Sequence, residues 1–176
     1  MDPLYSYELK IPKERVAVLI GRKGETKRQI EHETEAALEI DSKEGDVFLH
    51  GDNALGLFNA REVIKAIGRG FNPEIALLLL RQDYMFESMK VDFDSKAKED
   101  RLKGRIIGKE GKARRALEEL TETYISVYGK TISIIGEVQN VVIAKRAIES
   151  LLAGSRHATV YTWLEKQRRK HVHEIM

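Results

Sequence analysis

The sequence contains no cysteine. This absence excludes disulfides, cysteine-ligated zinc, iron–sulfur clusters and a thiol nucleophile, and it favours an intracellular protein. Long apolar segments are also lacking, because the run from Ile75 to Leu80 is far shorter than the roughly 20 residues that a membrane helix needs. The first residues lack the charged, apolar and small-residue pattern of a secretory signal, so the expected location is the cytoplasm.

A large net charge is absent too, because 30 Lys and Arg stand against 28 Asp and Glu, which leaves +2. Any basic surface must therefore come from local clustering of charge. Two clusters are present, at residues 13–28 and 101–115, and the second holds only one acid, Glu110. Both clusters predict positively charged surfaces, the second one more strongly.

What the chain does contain is an internal repeat of domain length. The segment VLIGRKGETKRQIE at residues 18–31 aligns without a gap on RIIGKEGKARRALE at residues 105–118. Both copies continue into two short strands and an amphipathic helix. The repeat predicts two domains, residues 1–82 with a trailing linker helix and residues 83–176 with a C-terminal basic helix.

The first copy predicts the order β-α-α-β-β-α. Its expected elements are a strand at 5–11, a helix at 13–20, a helix from the loop to about 33, and strands at 37–41 and 46–50. A helix follows that Asn53 can cap and whose inner face carries Leu57, Ala60, Ile64 and Ile67. Asn72 and Pro73 then predict the start of a short buried linker helix.

The second copy predicts the same order. Its expected elements are a strand at 85–93, helices at 96–107 and 112–122, and strands at 124–128 and 131–135. The next helix should turn Val138, Val141, Ala144, Ile148 and Leu151 inward. A last helix, at about 158–170, should dock through Val160, Trp163 and Leu164 and expose basic residues elsewhere.

Each copy places a Gly-x-x-Gly loop between its two consecutive helices. Glycines at both ends permit a sharp turn and let another backbone approach closely. The free N–H groups and the positive dipole end of the following helix favour phosphate at this place. Arg22 and Lys23 in the first loop and Lys109 in the second add cations there. Glu110 would oppose phosphate unless it points to solvent or contacts a base.

These repeated loops resemble those of the KH family of single-stranded nucleic-acid binders, in the eukaryotic-type (type I) arrangement. The resemblance implies an α+β fold of two tandem domains, each with a three-stranded antiparallel sheet packed on helices, plus a C-terminal helix. In such domains the GxxG loop clamps the backbone of about four nucleotides while an apolar groove accepts the bases.

The resemblance implies a set of RNA-binding residues in and around both loops: Gly21, Arg22, Lys23, Gly24, Lys27, Arg28, Arg105, Ile107, Gly108, Lys109, Gly111, Lys112, Arg114 and Arg115. It also implies base-binding grooves lined or underlain by four aliphatic residues: Ile20, Ile40, Ile107 and Val127. For each of these four, a position in the plain hydrophobic core is an equally good interpretation.

The pair of KH units, with Gly154-Ser155 and then residues 160–164 at its end, is similar to the archaeal relatives of the partner-of-NOB-one proteins. This second resemblance implies a ribosome-biogenesis factor that binds near the 3′ end of small-subunit rRNA. It also implies an rRNA-processing endonuclease and translation initiation factor two as further partners.

Two other non-enzymatic functions stay open: a KH scaffold that acts as a protein-interaction adaptor, and a general KH protein acting on mRNA or in RNA decay. Catalysis is not expected. The segment that begins at His32 and Glu33 starts like an HExxH metal motif but lacks the second histidine, and His171 and His173 lie close to the C-terminus. We expect no catalytic residue, no metal and no cofactor. The remaining helix acids, such as Glu31 and Glu118, are expected on solvated faces.

Overall fold

The computed structural model describes the backbone of residues 3–175 and the side chains of residues 3–170. The chain divides into two compact units, the first ending at Gln82 and the second beginning at Asp83. In both units the elements follow the order β-α-α-β-β-α, and additional helical segments come after them. The α+β fold predicted from the repeat is confirmed.

The first unit contains β1 (Tyr5–Lys10), α1 (Lys13–Ile20), α2 (Glu25–Thr34), β2 (Ala37–Ile40), β3 (Asp46–Gly51) and α3 (Ala54–Gly68). Its three strands form an antiparallel sheet in the order β1-β3-β2, so β3 is central and the other two are edge strands. The Asn53 side chain caps α3 by accepting a hydrogen bond from the Gly56 N–H at 3.1 Å. All four residues predicted for the inner face of α3 are fully buried.

The second unit contains β4 (Tyr84–Lys90), α5 (Lys96–Ile107), α6 (Lys112–Thr121), β5 (Tyr124–Tyr128), β6 (Thr131–Glu137), α7 (Val138–Leu152) and α8 (His157–Ile175). The sheet order is β4-β6-β5, again antiparallel, with the central strand β6 buried along most of its length. α8 packs on α6 and α7 and contributes Val160 and Leu164 to the core of this unit.

Buried aliphatic residues fix the two helices that flank each loop. Leu19 on α1 and Ile30 on α2 are fully buried, and so are their counterparts Ile106 on α5 and Leu117 on α6. Since two buried anchors hold the flanking helices in each unit, the short connection between them is held in place by the core on both sides.

Three details of the predicted elements are wrong. Val138 lies at the first turn of α7 and is 48% exposed, because the inward stripe begins only at Val141. The first strand of the second unit ends at Lys90 instead of residue 93, because its partner strand begins only at Thr131; one further bond, from the Val91 N–H to the Lys130 carbonyl, closes the pairing.

The linker helix also differs from the prediction. It makes a single α-helical turn, α4 (Pro73–Ala76), and continues as a 3-10 turn over Leu77–Leu80. The Asn72 side chain makes no capping bond, since the Asn72 backbone carbonyl already accepts from the N–H groups of Ile75 and Ala76. In this segment only Ala76 and Leu79 are buried, so it is less buried than its apolar sequence predicts.

Candidate nucleic-acid interface

The two GxxG loops have the same backbone conformation. Gly21 and Gly108 end their lead-in helices with φ/ψ of 73°/176° and 72°/175°. Gly24 and Gly111 precede the next helix in the left-handed region, at 77°/15° and 72°/15°. No side chain caps the N-terminus of either following helix, although the Glu25 and Lys112 N–H groups donate to the Arg22 and Lys109 carbonyls of the loops. The positive end of each helix dipole favours an anion at this place.

The first and last glycines of each loop are needed for different reasons. A Cβ on Gly21 would lie 2.8 Å from both the Cβ and the N atom of Thr26, and one on Gly108 would lie 2.6 Å from the Ala113 Cβ. A Cβ on Gly24 would meet nothing within 4 Å. All four glycines have a positive φ. The first glycine of each loop also lets the loop lie against the next helix, whereas no backbone crowds the last one.

The third position of each loop is occupied by residues of opposite charge. Lys23 has φ 52° and Glu110 has φ 55°, both in the left-handed region that non-glycine residues seldom adopt. Both side chains are exposed. The residue after the last glycine reverses the pattern, because Glu25 follows the first loop and Lys112 follows the second. Each loop with its next residue thus carries two cations and one anion in a different order.

Most of the predicted loop cations are exposed and available. Within the described side chains no hydrogen bond or ion pair engages six of them: Arg22, Lys23, Arg28, Lys109, Lys112 and Arg115. Arg115 bends back toward the loop, since its guanidinium lies 3.2 Å from the place that a Cβ on Gly111 would take.

Lys27 and Arg114 each lie within ion-pair distance of a glutamate, and each of these glutamates also accepts a backbone hydrogen bond from a strand. Lys27 lies 3.2 Å from Glu31 and Arg114 lies 4.0 Å from Glu118. The Leu38 N–H donates to Glu31 at 2.9 Å, and the Ile125 N–H donates to Glu118 at 2.8 Å. The expectation that these two glutamates lie on solvated faces is therefore wrong, because each one ties the helix after the loop to an edge strand.

Arg105 also differs from the other predicted cations. Its Nε donates to the Leu151 carbonyl at 2.9 Å and its Nη2 donates to the Ser155 carbonyl at 2.5 Å. In the first unit Arg15 does the same for the Ile67 and Phe71 carbonyls, at 2.7 Å each. These guanidiniums satisfy carbonyls at the C-terminal ends of α7 and α3, so we do not include Arg105 among the side chains available to a ligand.

The four predicted groove residues are only partly buried, and Val127 packs against the core of the second unit. Ile20, Ile40 and Val127 are half-buried, and Ile107 is 37% exposed. Their immediate neighbours Leu19 and Ile106 are fully buried. The partial burial of the four groove residues leaves an apolar surface beside each loop, and their role in accepting bases stays a prediction.

One surface of the first unit was missed by the sequence analysis. Tyr5 and Tyr7 on the edge strand β1 are 45% and 40% exposed, and Phe58 on α3 is 46% exposed. The Arg61 guanidinium lies over both the Tyr7 and Phe58 rings, at 5.4 and 5.1 Å from their centroids. The alternation of aromatic residues in β1 was the signal that could have found this aromatic face.

The equivalent surface of the second unit carries charged side chains instead of aromatic ones. The register of the sheets opposes Tyr7 to Leu49 and Glu87 to Ile134, which are counterparts in the repeat. Glu87 accepts a hydrogen bond from Lys145 at 2.5 Å, and this bond raises the pKa of the Lys145 ammonium above its usual value. The aromatic face therefore belongs to the first unit alone.

No group of three or more His, Asp or Glu side chains that could hold a metal ion occurs among the described residues. His157 bonds the Arg105 carbonyl at 2.7 Å, while the side chains of His171 and His173 lie outside the described residues. Within the described part of the chain, every helix is too short or too polar to cross a membrane.

Family models match both units. The model of the eukaryotic-type KH domain (KH-domain type I) matches residues 85–169, and the model of the KH domain matches residues 6–66. A KH domain-containing protein of Methanocaldococcus jannaschii is 50% identical over 170 residues, which cover 92% of this chain and 74% of that protein.

A eukaryotic relative and a solved structure extend the comparison. The pre-rRNA-processing protein pno1 of Aspergillus oryzae is 33% identical over 115 residues, which cover 62% of this chain and 44% of that protein. The chain therefore spans less than half of this relative. A crystal structure of the a/eIF2alpha-aDim2p-rRNA complex from Pyrococcus horikoshii matches with a TM-score of 0.87 and 42% identity, covering 94% of this chain and 95% of that one.

Proposed function

The chain belongs to the tandem type I KH proteins of the PNO1 and Dim2p family, and from this premise we propose that it binds single-stranded RNA through its two GxxG loops. The RNA is small-subunit rRNA near its 3′ end, and the protein acts in the cytoplasm as a ribosome-biogenesis factor, by binding and without catalysis. The P. horikoshii relative was crystallised with rRNA, and the fungal relative is a pre-rRNA-processing protein.

The observation that carries the proposal is the repetition of one loop geometry with free cations around it. Both loops offer a helix N-terminus without a side-chain cap, a last glycine that no other backbone crowds, and exposed Lys or Arg side chains. Phosphate oxygens are the ligands that such a set favours, because backbone N–H groups, the helix dipole and mobile cations all act in the same direction. Half-buried aliphatic residues beside each loop would accept the bases.

The test is a titration of a labelled single-stranded RNA with the 3′-end sequence of small-subunit rRNA. Glycine substitutions are poor variants, because a Cβ on Gly21 or Gly108 would collide with the next helix. Lys23→Asp and Lys109→Asp change exposed side chains instead, and Asp tolerates the left-handed conformation at residue 23. Lys90→Asp makes the same charge change at an exposed residue of the edge strand β4, which lies at the other edge of its sheet from β5 and the groove residue Val127.

We expect each loop variant to weaken binding by roughly tenfold and to make it less dependent on salt, since each removes a phosphate contact. Lys90→Asp should bind like the wild type. An RNA of the same composition in scrambled order should bind more weakly. Unchanged affinity in the double variant Lys23→Asp/Lys109→Asp would rule out the loops as clamps, and equal affinity for the scrambled RNA would rule out the rRNA target.

A second, compatible function is docking of a protein, and the aromatic face of the first unit favours it. Exposed aromatic groups that cluster around one arginine are typical of protein interfaces. The P. horikoshii relative was crystallised with the α subunit of initiation factor 2 as well as rRNA, and we propose that subunit as the partner. Tyr7→Glu should abolish this binding in a pull-down with the purified subunit while RNA affinity stays unchanged; loss of both would show general damage to the fold instead.

A further inference from the structure

The second unit has a cleft that none of the loop residues lines. It lies between α7 and α8, encloses about 390 Å³, and is lined by Arg146, Ser150, Ser155, Thr159, Val160, Trp163 and Gln167. Trp163 also borders a shallow, open area on the surface of α8, of about 460 Å³, which Lys166 borders as well. The tryptophan therefore lies between two open spaces, with an arginine beside one and a lysine beside the other.

The chemistry of the lining fits an unpaired nucleotide. No Asp or Glu is among the described residues that line either space. Hydroxyl and amide groups of Ser150, Thr159 and Gln167 can bond the edge of a base, and the indole ring offers a stacking surface. A space of several hundred Å³ is in the range of pockets that hold small ligands.

The exposed basic residues around the cleft outnumber the exposed acids beside them, Glu149 and Glu165, and so favour a polyanion. Arg146 and Lys166 are exposed, and within the described side chains neither forms an ion pair or a hydrogen bond. Arg169 and Lys170 extend the exposed basic surface along α8. Arg168 is the exception, because it approaches Glu122 at 3.5 Å.

The cleft is connected to the scaffold of the second loop. Ser155 lines the cleft, and its carbonyl accepts the Arg105 guanidinium three residues before Gly108. His157, on the first turn of α8, bonds the Arg105 carbonyl at 2.7 Å. The helix that leads into the loop is thus bonded to the start of the helix that carries Trp163 through the Arg105 carbonyl, and to the segment just before that helix through the Arg105 side chain.

We propose that this cleft is a second contact for the RNA, in which an unpaired base stacks on Trp163 while Arg146 and Lys166 bind the adjoining phosphates. The inference rests on the proposed RNA-binding function and adds a site outside the GxxG loops. It gives the basic C-terminal helix a direct part in binding.

The experiment uses the fact that Trp163 is the only tryptophan of the chain. In one titration of the full chain, the anisotropy of a labelled 3′-end RNA reports total binding and the emission of Trp163 reports the cleft. We expect quenching of the emission that saturates together with the anisotropy. Trp163→Leu should weaken binding by roughly tenfold, and Trp163→Phe by less because a ring remains.

Trp163 packs against the core, so its substitution could also affect folding. Charge variants at other residues in and beside the cleft avoid this problem. Arg146→Glu and Lys166→Glu should each weaken binding severalfold, whereas the matched surface change Lys90→Glu should not. If the RNA binds but the emission is constant and the charge variants bind like the wild type, the cleft is not a contact and the loop proposal survives. If no RNA binds at all, the cleft and the proposed function both fail.

Discussion

The loops of the two units share one backbone but arrange their charges differently. In the first, Arg22 and Lys23 lie within the loop and Glu25 follows it; in the second, Glu110 lies within the loop and Lys112 follows it. The dihedral angles of the flanking glycines agree within a few degrees across the two loops. The comparison teaches that glycines set the shape of the loop, while the residues between them are free to vary in charge.

The strongest test of this division of labour substitutes alanine at each glycine in turn. Gly21→Ala and Gly108→Ala should lower the free energy of unfolding by about 3 kcal/mol, because the new Cβ adds crowding to an unfavourable positive φ. Gly24→Ala and, with Arg115 able to move aside, Gly111→Ala should lower it by only about 1 kcal/mol, from the positive φ alone. Urea denaturation of the four variants measures the difference. Equal losses at both positions would mean that crowding at the first glycine is relieved by movement of the helix.

A second test concerns Arg15 and Arg105, whose positions in the aligned copies differ by three residues, or about one helical turn. It asks whether both arginines stabilise their units in the same way. Arg15→Ala and Arg105→Ala should each reduce stability by about 2 kcal/mol, since each leaves two carbonyls at a helix end without a charged donor. Arg28→Ala, at an exposed residue of α2, serves as the control and should change stability by less than about 0.5 kcal/mol. The comparison between the units breaks down if only one of the two arginines proves stabilising.

The smallest expected effect comes from exchanging the charges at the third position of the loops. Glu110→Lys should raise RNA affinity roughly tenfold and steepen its salt dependence by about one phosphate contact. Lys23→Glu should do the opposite. The left-handed conformation already holds a lysine in one loop and a glutamate in the other, so neither change should disturb folding. Affinities measured over a range of salt concentrations check this, and an unchanged salt slope in both variants would place the third side chain away from phosphate.

The sequence predicted the elements of both units well because the hydrophobic periodicity is regular and is present twice. α1 at Lys13–Ile20, α5 at Lys96–Ile107 and β5 at Tyr124–Tyr128 have the predicted bounds. The repeat also revealed the loops, since glycine spacing is visible in one dimension. Agreement between the copies gave each prediction a second, independent instance.

What the sequence could not reveal was the partner of each charged side chain. Arg105 belongs to the most basic segment of the chain, yet its hydrogen bonds go to carbonyls 46 and 50 residues away. Glu31 and Glu118 look like ordinary exposed helix acids, but each accepts a strand N–H seven residues further on. Such pairings depend on where the folded backbone places a carbonyl or an N–H, and residue type alone does not encode that.

The hydrogen bonds that Glu31 and Glu118 accept from the edge strands also have a consequence for the kinetics of binding. Glu31 joins α2 to β2, and Glu118 joins α6 to β5, so the distance between helix and strand beside each groove is set before any ligand arrives. Since little ordering is left to occur on encounter, ligands that differ in sequence should associate at similar rates, set by diffusion and electrostatic steering. Discrimination between them would then lie in how long each one stays bound.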